Sequence, residues 1–148
     1  MDRNRKNSHK GLDYLELSQF DCNIKMYLNF IMNDKSVLQM LKIRTANHTL
    51  AVETDRHGHR RDYEDRICNL CNTDDVQDLF HVIVKCPALT VERTQLILSN
   101  NILPDSITKT ELYHKLNKIS RKEIKAVTQF MEIIEEKKIF NVKNSEVI

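Results

Sequence analysis

Apolar residues recur along much of the chain at the three- and four-residue spacing of an amphipathic helix. One run covers residues 24–31 and a second covers residues 37–43, with Asn33-Asp34 between them. This pattern predicts two short helices with a polar joint.

The C-terminal third contains two N-terminal helix signatures in succession. Thr108 is followed three residues later by Glu111, and Ser120 by Glu123, which is the capping-box pattern. Apolar residues at helical spacing follow each box: Leu112, Leu116 and Ile119, then Ile124, Val127, Phe130, Met131 and Ile134. A pair of helices is therefore predicted over about residues 108–140.

The middle of the chain is less regular. Asp75 is expected to cap a helix that carries His81 and ends before Pro87. A further helix is expected around residues 91–97, and Asn100-Asn101 with Pro104 predict a loop. The stretch 44–66 ends in the polar run HGHRRDYEDR, residues 57–66, and this run is interpreted as a loop.

Composition supports a mainly α fold in one domain. The 148 residues include only two glycines and two prolines, which is little turn chemistry for a many-stranded sheet. We expect a basic tail at 1–12, a helical domain at 13–140 and a frayed tail at 141–148. No secretory h-region or run of about 20 apolar residues is present. The expected location is intracellular, nucleus or cytoplasm, without membrane contact.

Four residues in the middle of the chain have the spacing of a metal site. Cys68, Cys71, His81 and Cys86 form the pattern C-x2-C-x9-H-x4-C, which predicts one zinc ion in a module of about residues 66–88. Three thiolates and an imidazole would fill a tetrahedron, so the zinc would be structural. The alternative is a set of ordinary buried thiols. Cys22, His57 and His59 are competing candidates, interpreted as lying outside the ligand set.

Arginines cluster before the cysteines and are candidate phosphate contacts. They are Arg44, Arg56, Arg60, Arg61 and Arg66. Asp55, Asp62, Glu64 and Asp65 are interleaved with them, so a solvated loop of mixed charge is the competing interpretation. A formal net charge of only +2 means that any basic surface must be local.

Together these positions resemble the C-terminal zinc-binding region of non-LTR (LINE-type, Jockey-like) retrotransposon reverse transcriptases. The matching residues over 24–98 are Leu41, Arg44, His48, Leu50, Arg66, Cys68, Cys71, His81, Cys86, Pro87, Glu92 and Arg93. Asp55 and His57 depart from the family pattern, where a glycine and an aromatic are expected. The resemblance implies a segment that helps hold RNA or DNA beside a polymerase portion.

No catalytic arrangement is found in the sequence. Asp74-Asp75 follows Asn72-Thr73 rather than an aromatic, unlike polymerase carboxylates, which also need a third partner for two metals. The chain is therefore expected to be a non-catalytic fragment that binds nucleic acid. The alternative is a protein-protein interaction module stapled by zinc. The sequence does not indicate an oligomeric state.

Overall fold

The structure is a computed structural model that describes residues 34–44, 47–58, 60–104 and 106–145, except for the side chains of Arg56, His57 and Ser145. Its α-helices are α1 Lys35–Arg44, α2 Ala51–His57, α3 Thr90–Arg93, α4 Lys109–Asn117 and α5 Arg121–Ser145. Short 3-10 turns cover Tyr63–Asp65 and Pro87–Leu89, and π-helical turns cover His81–Lys85 and Thr94–Leu98. Within the described ranges the only strand-like pairing is one antiparallel bridge between Ile67 and Val76. The predicted mainly α fold is confirmed.

The two predicted capping boxes are both formed. The Thr108 hydroxyl accepts from the Glu111 backbone N–H, while the Glu111 carboxylate accepts from the Thr108 N–H at 2.8 Å. Ser120 and Glu123 repeat this exchange at 2.6 and 3.3 Å. Each box satisfies two backbone donors that the first turn leaves without helical partners.

The core lies where α5 packs against α1 and against the turn Thr94–Leu98. The apolar stripe predicted on α5 is buried along its whole length: Ile124, Val127, Phe130, Met131 and Ile134. Val37, Met40 and Ile43 supply the buried face of α1, which confirms the second of the two predicted N-terminal helices. The first one, over 24–31, and the tail 1–12 lie outside the described residues.

Helix α5 continues to Ser145, whereas a frayed tail was expected from residue 141. The reason is a set of distant backbone acceptors that the sequence does not reveal. Lys138 donates to the Thr49 carbonyl, and Asn141 donates to the Asn69 carbonyl at 3.3 Å. In the described part of the chain, no helix is both long and apolar enough to cross a membrane.

The sequence patterns predict no helix where α2 lies, and the predicted loop at 57–66 overlaps only its last residue, His57. Its first residues, Ala51 to Glu53, are buried, and no side-chain cap within the helix marks its start. Instead the Ala51 N–H donates to the side-chain carbonyl of Gln77 at 3.0 Å. Because Gln77 lies 26 residues after Ala51, a local sequence pattern cannot predict this cap.

Candidate metal centre

A tight hairpin carries the first two ligands. The Cys68 N–H donates to the Asp75 carbonyl at 2.8 Å, and the Gln77 N–H donates to the Arg66 carbonyl at 2.9 Å. Asp74 turns the chain with a φ of 54°, a left-handed conformation that aspartate tolerates better than most residues. The expectation that Asp75 caps a helix is therefore wrong, because Asp75 lies in the paired part of the hairpin.

The helix that carries His81 begins later and is capped by Asp78. The Asp78 carboxylate accepts from the His81 N–H at 2.7 Å, and the other carboxylate oxygen accepts from Tyr63 and Lys109. Cap and ligand are therefore joined directly, so the start of the helix fixes the backbone position of His81.

A π-helical turn explains how His81 and Cys86 can face the same point. Residues five apart on an α-helix differ by about 140° around the axis. Here the Cys86 N–H donates to the His81 carbonyl at 2.7 Å, an i→i+5 bond that widens the turn. The wider turn brings Cys86 back toward the face of His81. With four residues between them, His81 and Cys86 thus share a face because this turn is π-helical rather than α-helical.

The four ligand atoms meet at one point. They all lie within 4.8 Å of one another, with 4.0 Å between the sulfurs of Cys68 and Cys86 and 3.3 Å between the Cys71 sulfur and His81 Nε2. Zinc with Zn–S bonds of about 2.3 Å and Zn–N bonds of about 2.0 Å needs ligand separations of about 3.5–3.8 Å. A separation of 4.0 Å is also about twice a disulfide bond. The cluster can hold one metal ion.

Side chains around the cluster orient its ligands. The Gln77 amide donates to the Cys68 sulfur at 3.4 Å, and the Thr73 hydroxyl lies 3.2 Å from the Cys71 sulfur. His81 Nδ1 lies 3.5 Å from an Asp75 carboxylate oxygen without a hydrogen bond between them, while Nε2 lies 3.3 Å from the Cys71 sulfur. A carboxylate near the outer nitrogen of the imidazole is a common arrangement at metal sites.

The thiol chemistry of the cluster favours a cation. Hydrogen bonding between Cys86 and Cys68 lowers the pKa of Cys68 and raises the pKa of Cys86. Two buried thiols that are hydrogen-bonded to each other lose one proton readily, because the other is then shared between the sulfurs, and lose that second proton with difficulty. A metal ion held by both sulfurs would take the place of the second proton and stabilise the two thiolates together.

Four protein ligands leave no open coordination position. Cys68, His81 and Cys86 are at most 3% exposed, and Cys71 is half-buried. Catalytic zinc sites keep one position for water, which this ligand set would fill with a protein atom. The arrangement is chemically suited to holding the hairpin and the π-turn together.

Two of the five predicted phosphate-binding arginines are buried, which corrects the prediction for them. Arg66 is 2% exposed, and its guanidinium donates to the Val52 carbonyl at 2.6 Å and twice to the Arg61 carbonyl at 2.8 and 3.1 Å. Arg44 is 3% exposed and donates to the Asn117 carbonyl at 3.0 Å and to the Asn117 side chain. Both guanidinium groups are held inside the fold, where they cannot reach a phosphate.

The other three arginines lie on or beside α2. Arg60 and Arg61 are exposed, and Arg61 forms an ion pair with Asp55 at 3.3 Å. Arg56 lies on α2, but its side chain is outside the described part, as are the side chain of His57 and all of Cys22 and His59. Of the predicted arginines whose side chains the structure describes, Arg60 and Arg61 are therefore the exposed ones.

Two structural residues beside the cluster had no assigned role in the sequence interpretation. Gln77 is fully buried and links the Ala51 N–H to Cys68, which ties α2 to the metal cluster. Arg93 donates to the carbonyls of Ile83 and Cys86 at 2.8 and 2.6 Å. It thereby satisfies acceptors at the end of the π-turn, where cations are favoured. The Glu92-Arg93 match in the family pattern was the one signal that pointed to Arg93.

Comparison with known proteins identifies no family for the chain. No protein-family model, curated protein or solved structure matches the chain. The class that the fold and the site define is therefore a mainly helical protein with a Cys3His cluster able to hold one metal ion.

Proposed function

We propose that this chain is a non-catalytic, zinc-stabilised module that binds RNA or DNA, equivalent to the C-terminal region of a non-LTR reverse transcriptase. The observation that carries the proposal is the closed Cys3His cluster, whose ligand atoms lie within 4.8 Å of one another. Such a set selects zinc over harder cations and gives it a structural role. The module acts inside the cell, where thiols stay reduced.

The placement of the resemblance residues supports an equivalent scaffold. Leu50 is fully buried, Arg66 anchors the segment before the hairpin, and Arg93 closes the end of the π-turn. The matching positions therefore coincide with the interactions that build the metal centre. The nucleic-acid role is carried over from the family by analogy, because a shared scaffold does not by itself fix what is bound.

A salt titration tests the nucleic-acid function. Binding of a fluorescein-labelled single-stranded RNA of about 20 nucleotides would be followed by anisotropy at 50 and 200 mM salt. With about three or four phosphate contacts, affinity should fall about twentyfold to fiftyfold over this range. Weak binding that does not change with salt, in both the wild type and Arg60→Ala/Arg61→Ala, would overturn the function and leave the metal site standing.

A second candidate function is a protein-interaction module, and one surface favours it. Ile139, Phe140 and Val142 near the end of α5 are 57%, 65% and 49% exposed. Phe140 lines an open groove of about 550 Å³ together with Leu70 and Ala88, beside the metal cluster. An apolar helix of a polymerase portion would fit such a groove. Loss of a binding partner on Phe140→Asp, with RNA affinity unchanged, would support this candidate.

A further inference from the structure

We propose that the turn between α4 and α5 is the phosphate-binding surface of this chain and takes the backbone of a nucleic-acid strand. The surface, called here the basic corner, consists of Lys118, Arg121, Lys122 and Lys125. This inference rests on the proposed nucleic-acid function and places its main contact away from the arginines before the metal centre.

The basic corner is exposed and carries an excess of positive charge. All four of its side chains are exposed. Two carboxylates lie beside it. Asp34 accepts a hydrogen bond from Arg121 at 2.9 Å and is also attracted by the charge of Lys125. Glu123 forms an ion pair with Lys115 at 2.9 Å. With Lys115 included, five cations face two carboxylates, in a chain whose total charge is only +2.

Three of these cations form no ion pair within the described part of the chain. They are Lys118, Lys122 and Lys125, of which Lys125 still lowers the pKa of Asp34 through the attraction between their charges. Lys125 follows Arg121 by four residues and Lys122 by three, so like charges adjoin on the same face of α5. Such like-charge pairs destabilise a helix. A polyanion bound at the corner would offset this repulsion.

The scaffold beneath the corner is rigid. Arg44 donates to the last residue of α4, Asn117, while the Ser120–Glu123 capping box fixes the first turn of α5. Ile119, between them, is fully buried. Because the backbone is held on both sides, the four cations extend from a fixed corner. Arg121 and Lys125 lie four residues apart on α5, so at 1.5 Å per residue they are roughly 6 Å apart along the helix axis, about two phosphates of a strand at 3.4 Å per nucleotide.

The chemistry of the corner fits a phosphate backbone better than a membrane surface. Its two apolar residues, Ile119 and Ile124, are buried, and the exposed large apolar residues of the described part lie elsewhere: Leu38, Val91, Ile139, Phe140 and Val142. An amphipathic helix that lies in a bilayer surface inserts an apolar face beneath its cations. The corner has cations alone, which is what a strand of separated phosphates requires.

The basic corner is a better candidate for the phosphate contact than the arginines that the sequence predicts. Arg44 and Arg66 are buried, and Arg61 is paired with Asp55, as Arg121 of the corner is with Asp34. Among the predicted arginines with described side chains, this leaves Arg60 exposed without an ion pair, whereas the corner has three such lysines, Lys118, Lys122 and Lys125. Arg44, which was predicted to touch phosphate, instead binds the end of α4 and so positions Lys118 from within the fold.

Matched double variants of the full chain test the proposal by anisotropy with the same labelled RNA. Lys122→Ala/Lys125→Ala removes two corner cations, and the control Lys85→Ala/Lys143→Ala removes two exposed lysines elsewhere. The corner variant should bind at least tenfold more weakly at 50 mM salt, with the salt slope reduced by about 1.4. The control should lose less than threefold. Alanine on exposed helix positions should leave the melting temperature within about 2 °C of wild type, so weakened binding reports lost contacts.

The other outcomes overturn the proposal in distinguishable ways. If the wild type binds RNA and the corner variant binds equally well, or if both double variants lose the same affinity, the corner is wrong and the proposed function survives. If wild-type binding is weak and insensitive to salt, the proposed function itself fails. If the corner variant loses binding only to phosphatidylcholine vesicles with 30% phosphatidylserine, the surface is a membrane contact and the proposal is overturned.

Discussion

The backbone N–H of Cys86 donates to the backbone carbonyl of His81 at 2.7 Å, so a single i→i+5 hydrogen bond joins two of the four metal ligands. Helical register and metal geometry are therefore set by the same bond. A π-turn is less favourable than an α-turn and persists where the surrounding structure requires it. Here the π-turn lets both side chains face one point, where a single metal ion could bind.

Metal analysis of the purified chain should find one zinc per molecule. Cys71→Ser should reduce zinc well below one equivalent and unfold the hairpin and the π-turn, because the binding free energy of a structural site is of order 10 kcal/mol, as large as the stability of a small domain. Mass spectrometry for the metal and hydrogen exchange for the fold would measure both effects. Cys22→Ser is the matched control and should keep its zinc, since Cys22 is outside the predicted ligand set. Full folding of Cys71→Ser would refute the structural role.

Gln77→Ala should weaken both the fold and metal binding. The substitution leaves the Ala51 N–H without its acceptor and removes a donor from the Cys68 sulfur. We expect a loss of about 1–3 kcal/mol in the free energy of unfolding and a tenfold to hundredfold loss in zinc affinity. Urea titration of the zinc-loaded protein and competition with a coloured chelator give the two values. Gln129→Ala, at an exposed position of α5, should change neither; equal effects in both variants would contradict the role of Gln77.

Arg66→Lys should destabilise the chain although charge is kept. An ammonium group cannot reproduce the fork through which Arg66 reaches the carbonyls of Val52 and Arg61. The expected cost is about 1–3 kcal/mol, measured by urea unfolding. Arg60→Lys makes the same exchange at an exposed position and should be nearly neutral. A neutral Arg66→Lys would show that the buried fork does not hold the segment in place.

Glu92→Gln should destabilise the chain at neutral pH and lose its effect in acid. The hydrogen bond from Lys137, at 2.6 Å, lowers the pKa of Glu92 below its ordinary value of 4.5. A carboxylate with a lowered folded pKa contributes stability above its unfolded pKa, and the contribution disappears as pH falls through the folded pKa. Because Lys137 is 39% exposed, we expect only about 0.5–1 kcal/mol at pH 7.

Parallel urea titrations of the wild type and Glu92→Gln at several pH values test this. The difference in the free energy of unfolding should stay constant down to about pH 5 and narrow below the ordinary pKa. Glu136→Gln, an exposed neighbour of Lys137, provides the control. A difference that grows as pH falls would contradict the sign of the pKa shift.

Local signals in the sequence predicted much of the fold. The Thr108 and Ser120 boxes and the apolar stripe of α5 encode their helices within a few residues, so they can be identified without tertiary information. The ligand set was predicted for the same reason, since C-x2-C and H-x4-C are short-range patterns whose ligand atoms the structure brings within 4.8 Å. Where a signal and its consequence are close in sequence, periodicity and spacing are sufficient.

The errors came from interactions between distant residues. Helix α2 takes its cap from Gln77, and α5 continues past residue 140 because of the acceptors at Thr49 and Asn69. Arg44 and Arg66 were interpreted as surface cations because arginine is usually exposed. Their partners, Asn117 and the carbonyls of Val52 and Arg61, became visible only in three dimensions.

The burial of Arg44 and Arg66 has a consequence for how this chain can change over evolutionary time. Of the positions in the family pattern, Arg44, Leu50, Arg66, His81 and Cys86 are all interior. These buried positions maintain the scaffold and are not accessible to a bound partner, whereas Pro87 of the same pattern is exposed. Substitutions at Lys122 or Lys125 could switch the partner while leaving these buried positions unchanged. Two chains could then share the whole motif and bind different molecules.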